Sequence, residues 1–77
     1  MNHQDLTLIT ETRRALADGS AKARRIASGI RQVEMAAVLG VSPSTVSQYE
    51  SGKRVPDAAR ALAYDKALAA AEGKRAA

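Results

Sequence analysis

Residues 25–56 read RIASGIRQVEMAAVLGVSPSTVSQYESGKRVP, and this stretch decides the fold. Val33, Met35, Ala36 and Leu39 recur at helical spacing from Gln32 onward, with Glu34 in the first turn, where a carboxylate complements the helix dipole. Gly40 ends that helix. Ser42 is a strong capping residue and Pro43 suits the first helical position, so a second helix over 43–50 starts only a few residues later. Helices joined by so short a turn cross at a large angle. Ala36 is small enough for a close approach at the crossing, and Gly40 can take the left-handed conformation that turns the chain.

The second helix has an outward task. Val46 and Tyr49 point inward, which leaves Pro43, Ser44, Thr45, Ser47 and Gln48 outside. Ser44, Thr45 and Gln48 fall within about one and a half turns, a polar patch that fits a DNA major groove roughly 12 Å wide. The Gln48 amide donates and accepts at once and so matches adenine in bidentate fashion; the plainer reading is an exposed polar helix residue. Ser44 and Thr45 suit a base edge or a phosphate, and Ser47 faces the side. Ser51, Gly52, Lys53 and Arg54 follow as a basic turn, with Val55 as its anchor.

Working outward, residues 1–5 are polar and expected to be loose. Leu6, Ile9, Leu16 and Ala17 share one face of a leading helix from about Asp5 or Thr10 to Asp18, stopped by Gly19. Ser20 is expected to cap the next helix, through Ser28, with Ala23, Ile26 and Ala27 inward and Gly29 at its end; one helix running through Gly19 is the alternative. Ile30 then enters the core. Pro56 and Asp57 open a final Ala-rich helix to about Ala71, whose stripe of Ala58, Ala61, Leu62, Tyr64 and Leu68 closes the core. Tyr64 and Leu68 are alternatively a dimer contact. The expected organisation is one all-α, five-helix domain over residues 1–77: an N-terminal extension (1–19), a core (20–56), a C-terminal helix (57–72) and a frayed tail (73–77).

Composition supports the helical reading and removes several function classes. Alanine is the commonest residue, 17 in all, against only two prolines, which favours short, closely packed helices. A chain of 77 residues buries only about 60% of the surface its unfolded form exposes, which leaves no room for a deep catalytic cleft. Paired carboxylates, a Ser, His and Asp arrangement and a glycine-rich phosphate loop are all missing, so an enzyme is not expected. There is no Cys, and the lone His3 cannot supply a ligand set, so neither a metal nor a cofactor is expected, nor a small-molecule ligand. Apolar runs fall far short of the roughly 20 residues a membrane helix needs, which predicts a soluble, cytoplasmic protein with no membrane partner. The net charge of +4 lies entirely within residues 20–56, where Lys22, Arg24, Arg25, Arg31, Lys53 and Arg54 face only Glu34 and Glu50. That concentration points to an anionic partner.

The run from Arg25 to Pro56 resembles the helix-turn-helix family of lambdoid phage repressors, Cro proteins and xenobiotic-response-element regulators. Gln32, Ala36, Gly40, Ser42, Val46, Glu50, Gly52 and Pro56 all stand at the family's spacing without a gap. The resemblance implies a lambda-repressor-like DNA-binding domain in which Pro43 and Ser44 join Gln48 as base readers, with Thr45 beside them; Pro43 is equally read as only a helix starter. The resemblance also implies a phosphate contact from Gln32, whose plainer reading is a solvated first-turn residue; Ser51, Lys53 and Arg54, in the turn after the reading helix, are the natural phosphate clamps or else a solvated basic turn. Arg31 stands where the family usually has a Ser or Thr cap, which weakens capping and sets a guanidinium beside the phosphate site. Arg25 and Glu50 match a family pair that forms a partly buried salt bridge, a structural role shared with Ala36 and Gly40.

Ala37 and Val38 occupy positions the family usually leaves polar. Either the added leading helix covers them, in the same chain or in a partner, or they are scattered surface residues that need no explanation. The function expected on this resemblance is a sequence-specific, double-stranded DNA-binding transcriptional regulator of Cro or repressor type, working as a homodimer on a pseudo-palindromic operator. An antitoxin-type regulator and a protein-interaction module that keeps the fold without reading DNA are the other readings.

Overall fold

Asn2 starts the first helix. In the computed structural model, which describes residues 1–76 with side chains through Gly73, the Asn2 Oδ1 accepts the Asp5 N–H at 2.7 Å and caps α1 (His3–Asp18). The first residues are thus ordered by a cap and are not the loose segment their polarity suggests. Ile9, Thr12 and Leu16 are the buried residues of α1, whereas Leu6 and Ala17 of the expected apolar face lie exposed. Gly19, at φ 88°, separates α1 from α2 (Ser20–Ala27), which decides against one continuous helix. The capping at this junction is reversed from expectation: the Asp18 carboxylate accepts the Ser20 N–H at 2.8 Å, and Ser20 is itself the first helical residue.

In α2 the orientation also differs from the apolar pattern. Ala21 and Arg25 are buried, while Ala23, Ala27 and Ile26, the last 60% accessible, face solvent. The reason is a polar partner for Arg25 in a later helix, described below. The chain turns at Gly29, Ile30 packs against the core, and α3 (Gln32–Leu39) follows. Arginine carries no acceptor and cannot cap the α3 amides. Instead, the Glu34 carboxylate reaches back to accept the Arg31 N–H at 2.8 Å. Met35, Ala36 and Leu39 are buried, but Val33 is half exposed, so the inward face of α3 is narrower than its apolar content.

Gly40 takes φ 71°, the left-handed geometry that lets the Val41 N–H donate back to the Ala36 carbonyl at 3.0 Å. Ser42 then caps α4 (Pro43–Glu50), its Oγ accepting the Thr45 N–H at 3.2 Å. Residues 51–57 lead into α5 (Ala58–Ala76), where Asp57 caps by accepting the Arg60 N–H at 2.9 Å. Within this connection Val55 is 69% accessible and Pro56 is buried, so the anchor of the turn is the proline. The helix passes through Gly73, which keeps a right-handed backbone, and runs to Ala76; Ala77 lies outside the described residues.

The core gathers Leu16, Ala21, Met35, Ala36, Leu39, Val46, Tyr49, Tyr64 and Leu68 from all five helices. α1 lies against α5 and α2, and α3 lies against α4 and α5. Tyr64 and Leu68 are each 1% accessible, which assigns them to the core and withdraws them from any dimer contact. Val38 is 59% accessible, so α1 does not cover the apolar side of α3 in the same chain.

Candidate nucleic-acid interface

α4 carries two chemistries on opposite sides. Val46, Tyr49 and Glu50 face in; Pro43, Ser44, Ser47 and Gln48 are exposed. Ser44 and Gln48 stand four residues apart and therefore share one face. Thr45 is half-buried beside them, and its Oγ1 lies 3.0 Å from the Oγ of Ser42, so its hydroxyl is engaged with the helix cap.

The Gln48 carbonyl ties the helix to the basic turn. It accepts from the Lys53 N–H at 3.0 Å, the Arg54 N–H at 3.2 Å and the Ser51 hydroxyl at 3.2 Å. Gly52, at φ 78°, allows the chain to fold back in this way. As a result the backbone of Lys53 and Arg54 is fixed beside the end of α4, and their side chains are exposed. Beside the start of α4 runs a groove lined by Ser42, Thr45, Tyr49, Arg54, Asp57 and Arg60, in which the Arg60 guanidinium is paired with the Asp57 carboxylate at 2.8 Å.

Behind the helix, Glu50 is the hub of a buried polar cluster. The Arg25 Nε donates to Glu50 Oε2 at 2.6 Å and Nη2 donates to Oε1 at 3.0 Å, a bidentate pair whose side chains are 7% and 2% accessible. Gln32 Nε2 donates to Oε1 at 3.0 Å and the Tyr64 hydroxyl to Oε2 at 2.7 Å; Arg25 Nη1 donates to the Ile30 carbonyl at 2.7 Å. Three helices, α2, α3 and α5, thus converge on the last residue of α4. Burial works against the Glu50 charge, yet the donors from Arg25, Gln32 and Tyr64 outweigh it and hold the carboxyl below its usual range. Burial, with the adjacent Glu50 carboxylate, drives the Tyr64 phenol well above its ordinary value. No buried side-chain nitrogen or oxygen among the described residues lacks a partner.

Ser44 and Gln48 share the exposed face of α4 with Thr45 half-buried beside them, Ser51, Lys53 and Arg54 follow its C-terminal end, and Gln32 is joined to that helix through Glu50. Arg31 stands apart from this cluster, exposed and 3.5 Å from Glu34. Sequence reasoning missed Tyr64 as a donor, because tyrosine in an apolar stripe reads as core; a buried phenol nevertheless needs a partner, and that requirement was the available signal. It also missed Arg13, whose Nε donates to the Pro56 carbonyl at 3.1 Å, and the Arg24–Glu72 pair at 2.7 Å, for which spacing gives no sign.

A short polar helix set across a supporting helix, followed by a basic turn, is the arrangement of a DNA-reading module. Residues 22–70 match the helix-turn-helix family that contains the XRE, Cro and lambda repressor domains, and the chain belongs to that family. Its class is therefore that of a DNA-binding helix-turn-helix regulator. Neither the curated proteins nor the solved structures provide a match. Among the described residues no group of three or more His, Asp or Glu could hold a metal ion, and no helix is long and apolar enough to cross a membrane.

Proposed function

We propose that the protein is a sequence-specific transcriptional regulator of the Cro or repressor type that reads the major groove with α4, two copies occupying a pseudo-palindromic operator. The observation that carries this reading is the exposed face of α4. Gln48 offers a side-chain amide with no partner within the described structure, while its carbonyl fixes Lys53 and Arg54 alongside. Gln48 and Ser44 read base edges, Pro43 supplies an apolar contact, and Thr45 contributes from the groove wall. Ser51, Lys53 and Arg54 clamp one stretch of phosphate backbone. On the other side, Gln32 spends one amide N–H on Glu50 and keeps the second for a phosphate, with Arg31 adjacent.

Selection from a randomised duplex library tests this reading, with recovered sequences titrated against scrambled DNA across salt concentrations. Enrichment of a palindrome whose half-sites lie one helical turn apart, about 10 bp, is the expected result. Weak, strongly salt-dependent binding without enrichment would remove the reading roles of Ser44 and Gln48.

A further inference from the structure

The residues that match the family begin at Lys22, so α1 stands outside the match, yet it touches the proposed DNA-contacting turn directly. Arg13, half-buried on α1, donates its Nε to the carbonyl of Pro56 at 3.1 Å. One turn further along the helix, Ala17 lies against Gly52: a Cβ on that glycine would meet the Ala17 backbone at 3.9 Å. Between these two points a small cavity is lined by Arg13, Leu16 and Ala17 from α1 and by Gly52, Arg54 and Pro56 from the turn.

The hydrogen bonds of the turn divide at Arg54. Up to that residue the turn is fastened to α4, through Ser51 N–H to the Ser47 carbonyl, Gly52 N–H to that of Tyr49, and Lys53 and Arg54 N–H to that of Gln48. Beyond it, Pro56 has no N–H to offer, and its carbonyl is held by Arg13. The Arg13 charge also reaches the cap of α5. The backbone N–H of Arg60 is the main influence holding the Asp57 carboxyl below its usual range, and the guanidinium groups of Arg60 and Arg13 add to it. Both ends of the basic turn are therefore fixed, one by the reading helix and one by α1.

We infer that α1 is a brace for the basic turn and that Arg13, bonded to the Pro56 carbonyl, is a positioning residue that sets the pose of Lys53 and Arg54 on DNA. This rests on the DNA reading above. A turn pinned at both ends presents its two cations without a backbone ordering cost at the moment of binding, so loosening one end weakens phosphate contact for every sequence alike.

The test is a comparison of the wild type, Arg13→Met, Lys53→Ala/Arg54→Ala and the triple variant in the full chain, on the selected duplex and on scrambled DNA. Arg13→Met is expected to weaken both complexes by roughly three- to ten-fold, as loss of a phosphate contact does, and to add nothing once Lys53 and Arg54 are gone. An equal loss in that background would make Arg13 an independent phosphate ligand or a mere contributor to net charge, and would overturn the inference, as would unchanged binding. Hydrogen exchange gives a readout that does not depend on DNA. Arg13→Met should speed exchange at Gly52 to Val55 and leave the α3 and α5 core amides unchanged, whereas uniform acceleration would reveal a general stability effect. A wild-type chain that binds no duplex would remove the DNA reading, and the exchange comparison would still decide whether Arg13 holds the turn.

Discussion

α2 and α4 are both eight residues long, and they use their two faces in opposite ways. Up to its last residue α4 follows the ordinary rule, with Val46 and Tyr49 in the core and serine and glutamine outside, whereas α2 buries Arg25 and leaves Ile26 in solvent. The inversion has one cause. Glu50, at the end of α4, is buried and needs a cation, and Arg25 can reach it only if α2 is rotated to place the guanidinium inside. The hydrophobic gain of burying Ile26, about 1.5–3 kcal/mol, loses to the larger cost of leaving a carboxylate buried and unpaired. The two helices are therefore one device: α2 gives up apolar burial so that α4 can be held by its C-terminal end, leaving its N-terminal turns free.

The sharpest way to break this relation is Arg25→Met. Removing the cation strands Glu50, and the variant should lose about 3–5 kcal/mol in urea denaturation; a loss under 1 kcal/mol would mean that water reaches the carboxylate and that the inverted face of α2 has another cause. Tyr64→Phe takes one donor from the same carboxylate and should cost about 1.5–3 kcal/mol, as hydrogen bonds to charged groups do.

Gln48→Ala probes the opposite side. It should leave the melting temperature unchanged and cost about 1–3 kcal/mol on the selected operator with little loss on scrambled DNA; equal losses on both would remove its reading role.

The pH dependence sharpens the comparison further. The folded-state pKa of Glu50 lies below its unfolded value near 4.5, so its contribution is complete above that value and is lost as pH falls through the folded pKa. The folded-state pKa of Tyr64 is raised, so its contribution is complete below 10.0 and is lost as pH rises through the folded value. Denaturation curves followed from neutral to acid pH should show a decline that flattens in Glu50→Gln; an identical decline in that variant would place the acid sensitivity elsewhere. Ile26→Ser has the smallest expected effect, within about 0.5 kcal/mol, as for an exposed site, and a large loss would show that Ile26 packs against something.

The stretch from Gln32 to Glu50 was legible because its signals are local. Gly40 at a positive φ, Ser42 accepting an amide three residues on and Pro43 at the first helical position each act within one turn of the chain. α2 was not legible, since the partner that sets its rotation lies 25 residues away and apolar periodicity cannot register a buried arginine. The same holds for Arg13, which meets Pro56 43 residues later. At the site, the exposed polar side of α4 could be read from spacing. The tie between Gln32 and Glu50 could not, because Gln32 at a helix start reads as a phosphate ligand or a solvated residue and nothing local marks it as the partner of a carboxylate 18 residues on. The N-terminal cap was overlooked for a simpler reason: Asn2 lies close to the chain terminus, where polar residues suggest fraying, yet its side chain accepts the Asp5 amide.

The most direct test of the claim that α4 presents its N-terminal turns to DNA is a ¹⁵N-resolved NMR titration of the protein with the duplex recovered by selection. The account predicts the largest shifts at the Ser44, Thr45 and Gln48 amides, the Gln48 side-chain NH₂ and residues 51–54, with Ile26 and Val38 unmoved. Shifts centred on Ile26, Val33 and Val38, with the face of α4 silent, would contradict it.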